Sequence, residues 1–143
     1  MPNILSRRHL VAGAAAASLL AGAAQAADFR AVLNGDALSP PGDTDGWGRI
    51  AFHLDQTLNR LCADVEVRGI GQVTEIRIYR GQPGDTHDPV VDLQAPDDND
   101  SNDCDSIGDT LADEIQASPA SFHVLVKTAE YPQGAIRGAL APS

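Results

Sequence analysis

The sequence predicts an all-β domain, an antiparallel Greek-key β-sandwich of about seven strands with one short helix near residues 109–117. Three observations carry this expectation. Short apolar stretches alternate with period two, which is the spacing of a strand and not of a helix. Clusters of Gly, Pro, Asn and Asp separate them at fairly regular intervals. Residues 122–140 read as a complete β-hairpin. Alternation in place of continuous apolar runs also predicts that one face of each sheet meets water.

The elements follow in order. Phe29, Ala31 and Leu33 alternate with Arg30 and Val32, and the turn formers at 34–35 and 39–43 then break the pattern. Ile50, Phe52 and Leu54 alternate with Arg49, Ala51 and His53. Leu61, Ala63, Val65 and Val67 alternate with Cys62, Asp64, Glu66 and Arg68. Ile76 and Ile78 alternate with Glu75, Arg77 and Tyr79, and Val90, Val91 and Leu93 form a short strand after the loop at 81–85. Residues 96–105 hold no apolar side chain except Cys104, which predicts a surface loop. From 109 to 117 the pattern changes. Asp109 can cap a helix, Leu111 and Ile115 lie four apart on one face, and Pro119 follows the end. The closing hairpin alternates Phe122, Val124 and Val126 with His123, Leu125 and Lys127. Tyr131-Pro132-Gln133-Gly134 supplies turn chemistry, and Ile136 and Leu140 return on one face with Ala135, Arg137 and Ala139 on the other.

Residues 1–26 read as a cleaved export signal and not as part of the fold. Arg7 and Arg8 form the basic region, residues 10–20 an Ala-rich apolar core, and Ala24-Gln25-Ala26 a small-x-small site with the cut between Ala26 and Ala27. Ser6-Arg7-Arg8-His9-Leu10-Val11 is similar to a twin-arginine signal, with the general secretory route as the alternative. The apolar core is shorter than the roughly 18–20 residues that spanning requires, so no membrane span is expected after cleavage. Residues 27–143 then form a single domain, periplasmic or extracellular, large enough to bury a core. Eight basic residues face all 20 acidic ones in it, a net charge of −12. Such a surface disfavours nucleic acid and anionic membranes, both of which are bound through basic residues.

Two cysteines, Cys62 and Cys104, in an exported chain predict one disulfide. Asp98, Asp100, Asn102 and Asp109 approximate calcium-loop spacing, but Asp103 stands where such a loop needs Gly, and Asp109 where it needs Glu. A solvated acidic loop is the expected reading, and no metal site or cofactor is expected. His53, His87 and His123 have no ligand spacing, no Ser sits in a Gly-x-Ser-x-Gly elbow, and no catalytic residue is assigned. Trp47, between Gly46 and Gly48, reads as a core or sandwich-edge aromatic. Arg137, between Ala135 and Ala139, has room to lie flat and reach a carboxylate in a salt bridge, or else to clamp a ligand.

Together these pieces resemble the CHRD domain. The similarity lies in residues 29–35 with Pro40-Pro41, in 48–55, in 61–70, in Arg80-Gly81 with 89–93, and most closely in Pro132-x-Gly134-Ala-Ile-Arg-Gly138-x-Leu140. The resemblance implies a β-sandwich outside the cytoplasm with no firmly assigned activity. The departures are informative. The family's His-Ile-His triplet is replaced by Arg77-Ile78-Tyr79, its His-Thr pair by Lys127-Thr128, and its Glu before the Pro-Pro turn by Leu38. By the resemblance, Arg77, Tyr79 and Lys127 converge on one surface, where two cations beside a phenol could bind an anionic group; otherwise they are solvated strand residues paired with Glu75 or Asp64. The leading expectation is therefore a monomeric, non-enzymatic binding or interaction module. Its ligand-binding candidates are Arg77, Tyr79, Lys127 and Arg137, and its partner is an unknown protein or a small anionic ligand. The alternatives are a metal-binding protein or metal-dependent enzyme using His53, His123 or the acidic loop, and a structural envelope or matrix component.

Overall fold

The computed structural model describes residues 26–85, 88–97 and 100–143. The body of the expected export signal, His87 and Asp98 lie outside the described residues. Eight strands follow in order: β1 (Ala26–Asn34), β2 (Trp47–Asp55), β3 (Arg60–Arg68), β4 (Val73–Arg80), β5 (Pro89–Leu93), β6 (Asp100–Ser106), β7 (Phe122–Thr128) and β8 (Ile136–Pro142). One helix, α1 (Asp109–Ala117), and a 3₁₀ turn, Pro119–Ser121, lie between β6 and β7. Among the described residues no helix is long and apolar enough to cross a membrane.

All pairings are antiparallel, and the strands form one continuous sheet in the order β5-β4-β7-β8-β1-β2-β3-β6. Its edge strands β5 and β6 touch, so the sheet is nearly closed around its core. The pairings β4 with β7 and β8 with β1 join strands distant in sequence, as Greek-key connections do. The alternation seen in the sequence sorts the faces. In β1 to β3 every apolar member of the pattern, from Phe29 to Val67, is buried, and its polar neighbours lie outward. Each fully buried Leu, Ile, Val or Phe stabilises the fold by roughly 1.5–3 kcal/mol. Helix α1 covers one end of the core with Ala112 and Ile115.

Gly138 marks the closest approach of two strands. A Cβ there would lie 1.9 Å from the Val32 carbonyl oxygen of β1, so only glycine lets β8 pair at this distance. The Tyr131–Gly134 turn is closed by the Gly134 N–H donating to Tyr131 O at 3.1 Å. Gly134 has φ 143°, and a Cβ there would collide with Leu38 and Leu125.

Three expectations are corrected. The acidic segment at 96–105 is not all loop, because residues 100–106 form β6. No apolar pattern announces this strand. It is held by backbone pairing to β3, by ion pairing of Asp100 with Arg68 and by an Asn102–Asp64 hydrogen bond. The disulfide completes this attachment: Cys62 and Cys104 are direct register partners joined at 2.08 Å. Asp109 is the first helical residue and not the cap; Gly108 takes the cap position, and Asp109 accepts a hydrogen bond from the Thr110 N–H. Trp47 begins β2 on the outer face and is 47% exposed, so it belongs to neither core nor sheet edge.

Candidate functional site

The outer face of β4, β7 and β8 carries the residues the sequence singled out. The register places Tyr79 opposite His123, Glu75 opposite Lys127, and Arg77 opposite Leu125, with Arg137 opposite Leu125 on the far side. Alternation aims all of these side chains outward, since their neighbours Ile76, Ile78, Val124, Val126 and Ile136 fill the core. Two loops raise walls beside this face. One, through Leu38, is fixed by hydrogen bonds from Leu38 and Gly42 to Gly35 O and from Asp43 to Ala135 O. The other runs through Gly84 and Asp85, where Asp85 accepts a hydrogen bond from Gln82 N at 2.8 Å.

Between the walls lies an open cleft of about 240 Å³, lined by Leu38, Tyr79, Gly84, Asp85, His123, Leu125, Lys127, Gln133 and Arg137. Its floor is the ring pair Tyr79–His123, stacked with centroids 5.4 Å apart and planes 13° from parallel. His123 is 3% exposed, and its Nδ1 donates to Gly81 O at 2.9 Å if that nitrogen carries the proton.

Three of the four candidate ligand-binding residues meet here, and one does not. Arg77 faces the adjoining part of the sheet, where Asp92 of β5, Glu75 and Tyr79 hold it. The hydrogen bond to Asp92 leads the upward shift of its pKa. Lys127 Nζ lies 2.8 Å from Glu75 Oε1, which also lies 3.1 Å from Arg77; these are charge contacts and not aligned hydrogen bonds. The expected pairing of these cations with Glu75 is present, and that with Asp64 is not.

Arg137 differs from both. The expected salt bridge is absent: its Nε donates to the Ala37 carbonyl at 2.6 Å, and it has no carboxylate partner among the described residues. The carbonyl comes from the Leu38 loop folded over β8, which a strand pattern alone does not announce. Burial lowers the pKa of this guanidinium, though arginine stays charged at any physiological pH. With Nε occupied, the two terminal nitrogens remain as an end-on fork, a geometry suited to a carboxylate, phosphate or sulfate.

Sequence reasoning placed His123 only in the metal alternative and missed Asp85 and Gln133. The signal for His123 was present, since it lies four residues before Lys127 on the same strand face. Asp85 and Gln133 sit in loops whose approach only the closed fold decides. The described acidic-loop candidates are not brought together: Asp100 pairs with Arg68, Asn102 with Asp64, and Asp109 lies in α1. Likewise His53 on β2 pairs with Asp28, away from His123, and no cluster of three metal-ligating side chains occurs among the described residues. A larger opening, of about 360 Å³, lies between α1 and β7, but the Arg80–Glu114 ion pair already satisfies its charges.

A family model described as the CHRD domain matches residues 29–140. No curated protein and no solved structure matches the chain significantly. The matched span runs from the first core residue of β1 to the last of β8 and takes in the whole sheet and the cleft. The chain therefore belongs to the CHRD domain family.

Proposed function

We propose that this chain is an exported CHRD-domain binding module, periplasmic or extracellular, that takes a small anionic ligand or the anionic group of a protein partner in the cleft at Tyr79, Lys127 and Arg137. The export signal, the disulfide and the family support the compartment. One observation carries the binding reading: the half-buried Arg137 guanidinium opens into the cleft with no carboxylate among the described residues to neutralise it. A buried charge left unpaired is costly, and a bound anion relieves that cost. Lys127 adds positive charge only partly offset by Glu75, while Asp85 on the rim opposes a second negative charge. The cleft is below the usual range for drug-sized ligands, so its occupant is small. Leu38, Leu125 and the Tyr79–His123 pair give that occupant an apolar wall.

Thermal unfolding of the mature protein with phosphate, sulfate, acetate or benzoate tests this reading. Ligand at 100 times its Kd should stabilise by about 2.7 kcal/mol. Arg137→Gln should abolish that gain, and Arg137→Lys should restore only part of it. If none of the four anions raises the unfolding temperature, or if Arg137→Gln responds as the wild type does, the reading is wrong.

A further inference from the structure

A second constellation lies on the opposite half of the sheet. The register places Asp28 of β1 beside His53 of β2, His53 beside Cys62 of β3, and Cys62 beside Cys104 of β6. All four side chains project from the outer face. His53 Nδ1 lies 2.7 Å from Asp28 Oδ1, which fixes the ring and leaves Nε2 as the nitrogen available toward β3. Directly opposed strand positions have Cβ atoms about 4.5–5.5 Å apart, so the imidazole and the Cys62 sulfur are neighbours. Asp28, His53 and Cys62 also line one shallow cavity of about 290 Å³. This is the order of a sulfur leaving group, an acid–base group and an orienting carboxylate.

We infer that Asp28, His53 and the Cys62–Cys104 disulfide form a thiol–disulfide exchange site whose substrate is a cysteine pair in a neutral or basic polypeptide. A thiolate of that pair attacks Cys104 Sγ, the Cys62–Cys104 bond breaks, and Cys62 leaves as a thiolate. The incoming thiol, on the far side of Cys104 from His53, sheds its proton to water, while a protonated His53 passes its Nε2 proton to Cys62 and regains one from water. The second substrate thiol then loses its proton and attacks the substrate sulfur bound to Cys104. That closes the substrate disulfide and releases Cys104, which takes up the remaining proton. Two electrons have moved from the dithiol to the protein, and no other reactant is needed for this single turnover.

The direction of attack follows from the leaving group. A thiolate leaves faster when it is stabilised, and His53 stands beside Cys62 and not beside Cys104. Other charges around His53 are Asp28 on β1, Asp55 on its own strand, and Arg60 and Asp64 on β3. The acids among them oppose a thiolate at Cys62, so a protonated His53 is the group that offsets it. The same acids, on a domain whose residues 27–143 carry a net charge of −12, repel anionic thiols, which sets the preference for neutral or basic substrates.

The test mixes oxidised mature protein with a lysine-flanked dicysteine peptide, quenches with acid, alkylates the free thiols and maps the products by mass spectrometry. The first adduct should lie on Cys104, with Cys62 alkylated. His53→Gln should slow the reaction about tenfold at pH 7, less than the hundredfold typical of an enclosed acid–base group. Asp28 is a positioning residue, and Asp28→Asn should both slow the reaction and shift its pH profile. Reduced glutathione, an anion, should react more slowly than the peptide. An adduct on Cys62, a wild-type rate in His53→Gln, or no exchange by the wild type would each overturn the inference. Circular dichroism verifies that His53→Gln folds; if it does not, the pH profile of Asp28→Asn decides.

Discussion

Replacing both cysteines, as Cys62→Ala/Cys104→Ala, should separate two contributions to stability. The bridge closes a loop across a sequence separation of 42. The chain-entropy model assigns such a loop about 4 kcal/mol through restriction of the unfolded state. Little in the folded state replaces it locally, because β6 has no fully buried residue. Among the described residues its other side-chain attachments are the exposed Arg68–Asp100 pair, the Asn102–Asp64 hydrogen bond and a 3.3 Å hydrogen bond from the Gln94 N–H to Asp103, and a surface pair contributes only about 0–1 kcal/mol. The double variant should therefore lose about 4 kcal/mol in urea unfolding, with a larger m-value because its unfolded state is less compact. Hydrogen exchange should show the second effect. Amides at 101–105 should lose protection by local fraying, while those of β1, β2 and β7 open only with the whole domain. A loss under about 1 kcal/mol, or equal protection at 101–105 in both proteins, would refute the view of β6 as a strand tethered by its crosslink.

Two further outcomes follow from the packing. Gly138→Ala should cost about 3 kcal/mol in urea unfolding, the upper end of overpacking penalties, because the obstructing atom is the Val32 backbone oxygen and cannot rotate away; a cost below 1 kcal/mol would show that β1 and β8 can separate freely. Burial, then Asp103 and Asp92, raise the Asp105 pKa above its ordinary value. A raised carboxyl pKa gives stability that is complete below the unfolded value of 3.8 and is lost as pH rises through the folded value. Asp105→Asn should thus raise the unfolding temperature at pH 7, with a gain that shrinks as pH falls through the raised folded value and is gone below about 4; a gain independent of pH would exclude this linkage.

Most of the scaffold was legible in the sequence, and the exceptions share a cause. Phe29, Ala31 and Leu33, or Leu61 through Val67, announce their strand by alternation because burial acts on each side chain according to the face it occupies. Leu111 and Ile115 announce the helix in the same way, through their spacing of four. Strand β6 has no such signal, because backbone pairing to β3 and the crosslink hold it, and neither depends on apolar side chains. The cleft was half legible: three of the four candidate binding residues line it, yet Arg77 turns to Asp92 of β5, a strand whose register the local pattern did not specify.

The sequence by itself determined which residues face inward, where the closing hairpin turns, which cysteines pair and to which family the chain belongs. These rest on local periodicity, turn chemistry and the presence of just two thiols. Only the tertiary structure decided what shares the outer face. It set Arg137 under the Ala37 carbonyl, stacked Tyr79 on His123, and aligned Asp28, His53 and Cys62 across three strands. The physical reason is that such neighbours are set by inter-strand register and loop approach, which join residues tens of positions apart and leave no trace in the spacing along any one strand.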